Sequence, residues 1–356
     1  MSRWQRLAAC LPEPGDAALI MSPQNRRYLT RFPSSAGWVL VTGGTAYFLT
    51  DFRYIEAARR TVRDMECLQA DRIAETLREL TGRHAVKRLF LEGKSTSLSQ
   101  RDRLAAALPG IRLEGDGALD GWLSAQRLVK TPDEVDSIRR AQAMCEVGFT
   151  HILDFIRPGR TEREIALQLE FDIRHRGAEG VAFDFIVVSG PQSSLPHGVP
   201  GDRTVERGDF VTMDFGAVVD GWHSDMTRTV AVGEADEEKR RVYDTVLRAQ
   251  CAALAVLREG LPCREGDAAA REIIAAAGYG DCFGHGTGHG VGMEIHEAPR
   301  LSPSAGEETL RAGSVVTVEP GIYLPGRFGV RIEDMALITA EGCENLTHAD
   351  KNLLIL

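Results

Sequence analysis

The stretch GHGTGHGVGMEIHE, residues 284–297, sets three histidines, His285, His289 and His296, among five glycines. Imidazoles bind metals, move protons and donate to oxyanions, and glycines let a backbone pass close to whatever is bound. Neither helix nor strand propensity favours such a run, so a metal, a phosphate or a reacting carbonyl is the better account of it. Acids elsewhere in the chain narrow the choice. In DFGAVVDGWHSDMTRTV the dipeptide Asp220-Gly221 lies between apolar runs and predicts a two-residue hairpin turn. If 219 pairs with 222, residue 216 lies opposite 225, and alternation puts Asp214 and Asp225 on one face as diagonal neighbours. The hairpin alone would also suit solvent-facing acids. Glu319 follows the apolar run SVVTV and precedes Pro320-Gly321, while Glu333, in GVRIEDMALIT, is expected in mid-strand among β-branched and apolar residues. Carboxylates in such surroundings are costly unless paired or bound to a cation. With His289 the set becomes Asp214, Asp225, His289, Glu319 and Glu333. Four carboxylates and one imidazole suit two divalent cations, Mn²⁺ foremost, with Co²⁺, Zn²⁺ or Fe²⁺ accommodated by the imidazole.

These residues need a scaffold, and the chain supplies two kinds. To about residue 125, strand-like runs (GWVLVTGG, TAYFLTD, KRLFLEG) mix with helical patterns such as DRIAETLRELTGR, which predicts an α/β layer domain. Thr131, Pro132 and Glu134 then form a capping-box signature that opens a long helix, and Thr161 with Glu164 repeats it, with Gly177 as the stop. Strand-rich sequence follows, and after residue 234 the order helix, helix, strands recurs. The expected organisation is therefore a domain at 1–125 and a second at 126–356, the latter an α+β fold of two related halves with a site between them.

Composition excludes other classes. A net charge of −9 across 356 residues gives no electrostatic footprint for nucleic acid or an anionic membrane. Seven scattered cysteines without a C-x-x-C pair read as reduced thiols of a cytoplasmic protein. No apolar run approaches membrane-spanning length, and the N-terminal stretch lacks the apolar core of a signal peptide.

The segments PHGVPGDRTVERGDFVTMDFGAVVDGWHSDMTRTVAVG, HGTGHGVGMEIHEAP, VVTVEPGIYLPG and GVRIEDMALIT resemble the metal-ligand blocks of the pita-bread metallopeptidases, in the Xaa-Pro branch that contains aminopeptidase P and prolidase. The N-terminal part is similar to the creatinase-type domain of the same family. The resemblance implies a pita-bread catalytic domain preceded by a smaller, ribonuclease H-like α/β domain. It implies that Asp214 binds one metal, that Asp225 and Glu333 bridge both, and that His289 and Glu319 complete the other. A water activated between the cations would attack the scissile carbonyl, with Glu319 as proton shuttle. His296 resembles the family's donor to the substrate carbonyl or oxyanion, His285 a histidine lining the substrate site, and His197 the histidine near the scissile bond. Structural roles stay open for His285 and His197. Arg331 is implied to contact substrate or a carboxylate beside the ligands.

The function implied is an Xaa-Pro aminopeptidase, a metallo-exopeptidase acting on peptides with proline in the second position, as a homodimer. The alternatives are an Xaa-Pro dipeptidase, a metal-free creatinase-like hydrolase, which the complete ligand set argues against, and a non-catalytic binding module on the same fold.

Overall fold

The computed structural model describes residues 1–356. The chain divides into two compact units, Met1–Arg127 and Leu128–Leu356. In the first, a six-stranded mixed sheet runs in the order Glu66–Gln69, Ala46–Thr50, Trp38–Thr42, Asp16–Ile20, Arg88–Leu91, Arg112–Glu114. Its central strands are buried on both faces, which accounts for their continuous apolar character. The helix Phe52–Thr61 starts at Asp51, whose carboxylate accepts the Arg53 N–H at 2.9 Å. No helix is long and apolar enough to cross a membrane, and all seven cysteines are free.

The second unit begins with the helices Pro132–Phe155 and Glu162–His175. The Thr131 N–H donates to the Glu134 carboxylate at 2.9 Å, and Thr161 and Glu164 exchange bonds of 2.8 and 3.1 Å, so both helix starts are capped as their sequences suggest. Gly177, at φ +100°, ends the second helix. A three-stranded sheet follows, ordered Met226–Ala231, Phe210–Phe215, Ile186–Ser189.

The order then repeats. The helix Glu237–Val256 buries Val242, Tyr243, Val246, Ala249 and Ala253, a spacing of three and four that turns one face to the core. After Cys263–Ala276 comes a five-stranded sheet in the order Glu297–Leu301, Gly288–Gly290, Val315–Val318, Asp334–Ile338, Cys343–Asn345, with a two-stranded ribbon of Gly321–Leu324 and Phe328–Arg331.

Two details differ from the sequence reading. GVRIEDMALIT is not one strand, because Phe328–Arg331 pairs in the ribbon and Asp334–Ile338 in the five-stranded sheet. Glu333 therefore occupies the corner between them, where its N–H donates to the Thr227 carbonyl at 3.1 Å. Glu319 marks a similar corner between Val315–Val318 and Gly321–Leu324, with its N–H on the Thr287 carbonyl at 2.7 Å. Each acid sits where the backbone changes partner, so its side chain leaves the ordinary alternation of a strand.

A buried arginine adds to the links between the two halves. Arg228 is 1% exposed and uses all five of its N–H groups. It donates to the carbonyls of Thr227, Glu333, Ala349 and Asp350 and to the Asp334 carboxylate, at 2.6 to 3.1 Å. Asp334 is also held by Gln250, Asn345 and Lys351. Removing one partner of such a network leaves an uncompensated buried charge. Arg228→Met is expected to lose roughly 3–5 kcal/mol in urea unfolding; an unfolding midpoint equal to the parent's would show that the network does not hold the halves together.

Candidate metal centre and substrate cleft

A cleft of about 770 Å³ in the second unit is lined by all nine residues singled out from the sequence: His197, Asp214, Asp225, His285, His289, His296, Glu319, Arg331 and Glu333. The Asp220-Gly221 turn brings in the first two acids. Both residues have positive φ, 52° and 82°, as a type I′ turn requires, and Val219 pairs with Trp222. The same register continues into Phe210–Phe215 and Met226–Ala231, with Thr227 opposite Asp214, so Asp225 is diagonal to Asp214.

His289 enters from the strand Gly288–Gly290, which is squeezed between two neighbours. A Cβ on Gly288 would lie 2.0 Å from the Thr317 carbonyl oxygen, and one on Gly290 would lie 2.1 Å from that of Ala298. These two glycines are thus required by close backbone approach on either side of the imidazole.

Ligand atoms of Asp225, His289 and Glu333 all lie within 4.8 Å of one another, and all three side chains are buried. The Nδ1 of His289 lies 3.1 Å from the Gly290 carbonyl, which fixes it as the protonated nitrogen. Its Nε2 then carries the lone pair, and this faces carboxylate oxygens of Glu319 at 3.3 Å and Asp225 at 3.6 Å. Acceptors facing acceptors are repulsive unless something positive lies between them. Two further oxygens, Asp214 Oδ1 and Asp225 Oδ1, are buried without a hydrogen-bond partner.

The same crowding shows in the protonation equilibria. Burial first, and then the charges of Glu333, Asp214 and Glu319, hold the Asp225 carboxyl well above the usual carboxylate range. Glu333 is raised by burial and by Glu319 and Asp214, and Glu319 is pushed up to about 8, chiefly by burial. Burial brings His289 down to about 4, leaving a neutral imidazole fit to be a ligand. Carboxyls that resist ionising together, beside a neutral imidazole and orphaned oxygens, fit divalent cations: the donor set is hard and oxygen-rich, and added positive charge relieves each of these strains.

The arginine is placed more tightly than its sequence position suggests. Arg331 is 3% exposed; its Nη2 donates to Asp214 Oδ2 at 2.6 Å, its Nε to Thr227 Oγ1 at 3.0 Å, and its Nη1 to Tyr323 Oη and the Pro196 carbonyl. Burial opposes its charge, but Tyr323 and the acids around it outweigh that and keep it protonated. Thr227 Oγ1 in turn donates to Glu333 Oε2 at 2.7 Å, and Tyr323 Oη lies 2.9 Å from His285 Nε2. Burial takes His285 down to about 4, so it acts as a neutral hydrogen-bonding group.

Thr227, Tyr323 and Arg300 escape a reading from sequence. Nothing in their local patterns separates them from ordinary strand residues, and only the tertiary arrangement brings Arg300 to the cleft and sets Thr227 and Tyr323 against Arg331. Arg300 reaches it from the strand Glu297–Leu301 with an exposed side chain, close enough for its charge to lower the His296 imidazole, after burial the largest influence on that group.

A model described as metallopeptidase family M24 matches residues 136–340, and one described as creatinase/prolidase N-terminal domain matches residues 3–129. The chain is 36% identical over 342 residues to the Xaa-Pro dipeptidase of Pyrococcus horikoshii, covering 95% of this chain and 94% of that one. It matches the solved Xaa-Pro dipeptidase from Bacillus anthracis with a TM-score of 0.95 at 41% identity, covering 99% of each chain. It matches the X-Pro aminopeptidase from Thermotoga maritima with a TM-score of 0.93 at 37% identity, covering 100% of both. The repeated half-units with their shared acid cluster thus find their counterpart in known enzymes, and the chain belongs to metallopeptidase family M24, with a pita-bread catalytic unit preceded by a creatinase/prolidase N-terminal domain.

Proposed function

We propose that this metallopeptidase is an Xaa-Pro dipeptidase, cleaving the bond between an N-terminal residue and a C-terminal proline. The observation that carries the reading is the joining of two features in one cleft: a carboxylate cluster built for cations and, beside His296, the exposed cation of Arg300. A dipeptide differs from a longer peptide in ending just past the proline with a free carboxylate, and a guanidinium is the side chain suited to receive it. The resemblance read from the sequence implies release of the first residue from longer peptides, with the dipeptidase as the alternative; the dipeptidases among the relatives, together with Arg300, favour the shorter substrate. The aminopeptidase reading stays second because of the likeness to the Thermotoga maritima enzyme.

Asp214, Asp225, His289, Glu319 and Glu333 would hold two divalent cations, Mn²⁺ foremost, which when bound polarise a carbonyl and lower the pKa of a water. Arg331 holds and orients Asp214 through its 2.6 Å bond. Thr227 fixes one Glu333 oxygen and leaves the other to the cleft. His296 is exposed in the cleft, its ring centroid 4.5 Å from that of His289, and it donates to the substrate carbonyl oxygen as negative charge develops there. Glu319, beside His289 and steadied by Thr317 Oγ1 at 3.3 Å, takes the proton of the attacking water and returns it to the imino nitrogen of proline. That nitrogen carries no hydrogen in the peptide, so the leaving group departs only once it is protonated. Phe183, Phe185, Val199 and Ile295 give the cleft its apolar walls, suited to a proline ring and to the residue before it.

Two experiments test this. Parallel assays of Ala-Pro and Ala-Pro-Ala with Mn²⁺-loaded enzyme should show preferred cleavage of the dipeptide. Arg300→Ala should raise KM for Ala-Pro on the order of 10-fold, as expected for a lost charge-assisted contact, while barely changing tripeptide kinetics. Preferred hydrolysis of the tripeptide by the parent enzyme would transfer the assignment to the aminopeptidase.

His289 and His296 should separate cleanly. His289→Ala is expected to lose bound metal by elemental analysis. His296→Ala should keep parental metal content and lose on the order of 10²-fold or more in kcat, the usual cost of removing a donor to an oxyanion. Equal metal loss in both variants would contradict this division.

A further inference from the structure

The loop that brings His197 to the cleft has no regular structure after the short helical turn Gly190–Ser194, yet five consecutive residues, Pro196 to Pro200, line the cleft. Its exposed members, Leu195 at 53% and Val199 at 80%, contribute little burial to hold it. Both ends of the loop converge on one carboxylate. Glu162, the first residue of the helix Glu162–His175, is 0% exposed. Its Oε1 accepts the Ser189 N–H at 2.7 Å and the Ser189 hydroxyl at 2.8 Å, and its Oε2 accepts the Gly201 N–H at 3.1 Å. Ser189 enters the loop and Gly201 leaves it. The main chain of the same residue adds a bond from the Glu162 N–H to the Arg203 carbonyl at 3.1 Å. Behind Ser189, Arg203 donates to its Oγ at 2.6 Å and pairs with Asp209, so the serine hydroxyl is aimed at Glu162.

We propose that Glu162 is a positioning residue for substrate binding: by tying the two ends of the Ser189–Gly201 segment together with one buried carboxylate, it sets the height of His197 and the Pro196–Pro200 wall over the cleft. The inference deepens the functional reading above, since it rests on His197 facing the substrate. A carboxylate serves here because both its oxygens accept, and the three donors it gathers need an acceptor-only partner. Glutamine, of equal size, replaces one acceptor by an NH₂ group that would face a backbone N–H.

Hydrogen–deuterium exchange and a double-mutant cycle together test it. Glu162→Gln is expected to speed amide exchange in the segment 189–203 while the strands Phe210–Phe215 and Met226–Ala231 keep their protection, and to leave metal content unchanged. Its kcat/KM for Ala-Pro should fall on the order of 10- to 100-fold, as small displacements of positioned groups do. In a His197→Ala background the same substitution should cost clearly less than in the parent, because part of its effect passes through His197 and the rest through the wall beside it. Should Glu162→Gln not yield folded protein, Ser189→Ala, which removes one of the three donors, carries the same cycle with a smaller loss. Unchanged exchange in the loop, exchange faster across the whole unit, or an undiminished kinetic penalty in the His197→Ala background would each overturn the proposal. A His197→Ala enzyme with parental kinetics would instead refute the role of His197, while the exchange result would still report on the clamp itself.

Discussion

Four carboxylates and a neutral imidazole crowd together on one side of a cleft, and their mutual repulsion is the constraint on which the rest of the catalytic unit depends. Asp214, Asp225, Glu319 and Glu333 come from three different stretches of chain and meet only in the folded cleft. The cluster is stabilised from outside by one guanidinium, that of Arg331 on Asp214, and by single hydroxyls, those of Thr227 on Glu333 and Thr317 on Glu319. These contacts orient the acids, and the single guanidinium offsets only part of their charge. In the proposed reading the remaining charge would be balanced by the cations these residues could hold.

The fold holds these acids together by joining two half-sheets at the corner that carries Glu333. Glu333 stands at the corner where the chain passes from the ribbon to the five-stranded sheet, and its main chain is tied to Thr227 of the other half. Arg228 binds the carbonyls of both Thr227 and Glu333, so the seam is closed by the same residue that anchors the C-terminal segment through Ala349 and Asp350. A device of the same kind recurs beside the cleft at Glu162, where one buried side chain gathers backbone donors from both ends of a loop. In both cases a charged group saturated with hydrogen bonds does what apolar packing does less well, which is to specify one arrangement of irregular backbone.

Much of this was legible in the chain because it is local. The Asp220-Gly221 turn has the positive φ values its residues favour, and a turn of fixed length dictates register for many residues beyond it, so the approach of Asp214 to Asp225 follows from two letters of sequence. Capping residues marked the helix starts at Thr131 and Thr161 for the same reason. Features set by long-range meetings were not legible. Glu333 reads as a mid-strand acid because its apolar neighbours continue on both sides; the corner exists only because those neighbours pair in different sheets. Tyr323 and Arg300 lie in strands of ordinary composition, and Glu162 is one of several acids at a helix start. Their significance depends on tertiary partners, as with Ser189 for Glu162, 27 positions away, and His285 for Tyr323, 38 positions away, where local pattern carries no information.

The central claim is that the acid cluster exists to hold catalytic cations. It is tested most directly by stripping the enzyme with a chelator, confirming removal by elemental analysis, and titrating Mn²⁺ back while following both ions bound per chain and Ala-Pro hydrolysis. The account predicts no hydrolysis by the stripped enzyme and recovery that rises with occupancy towards two ions per chain. Full hydrolysis by enzyme shown to be free of metal would contradict it.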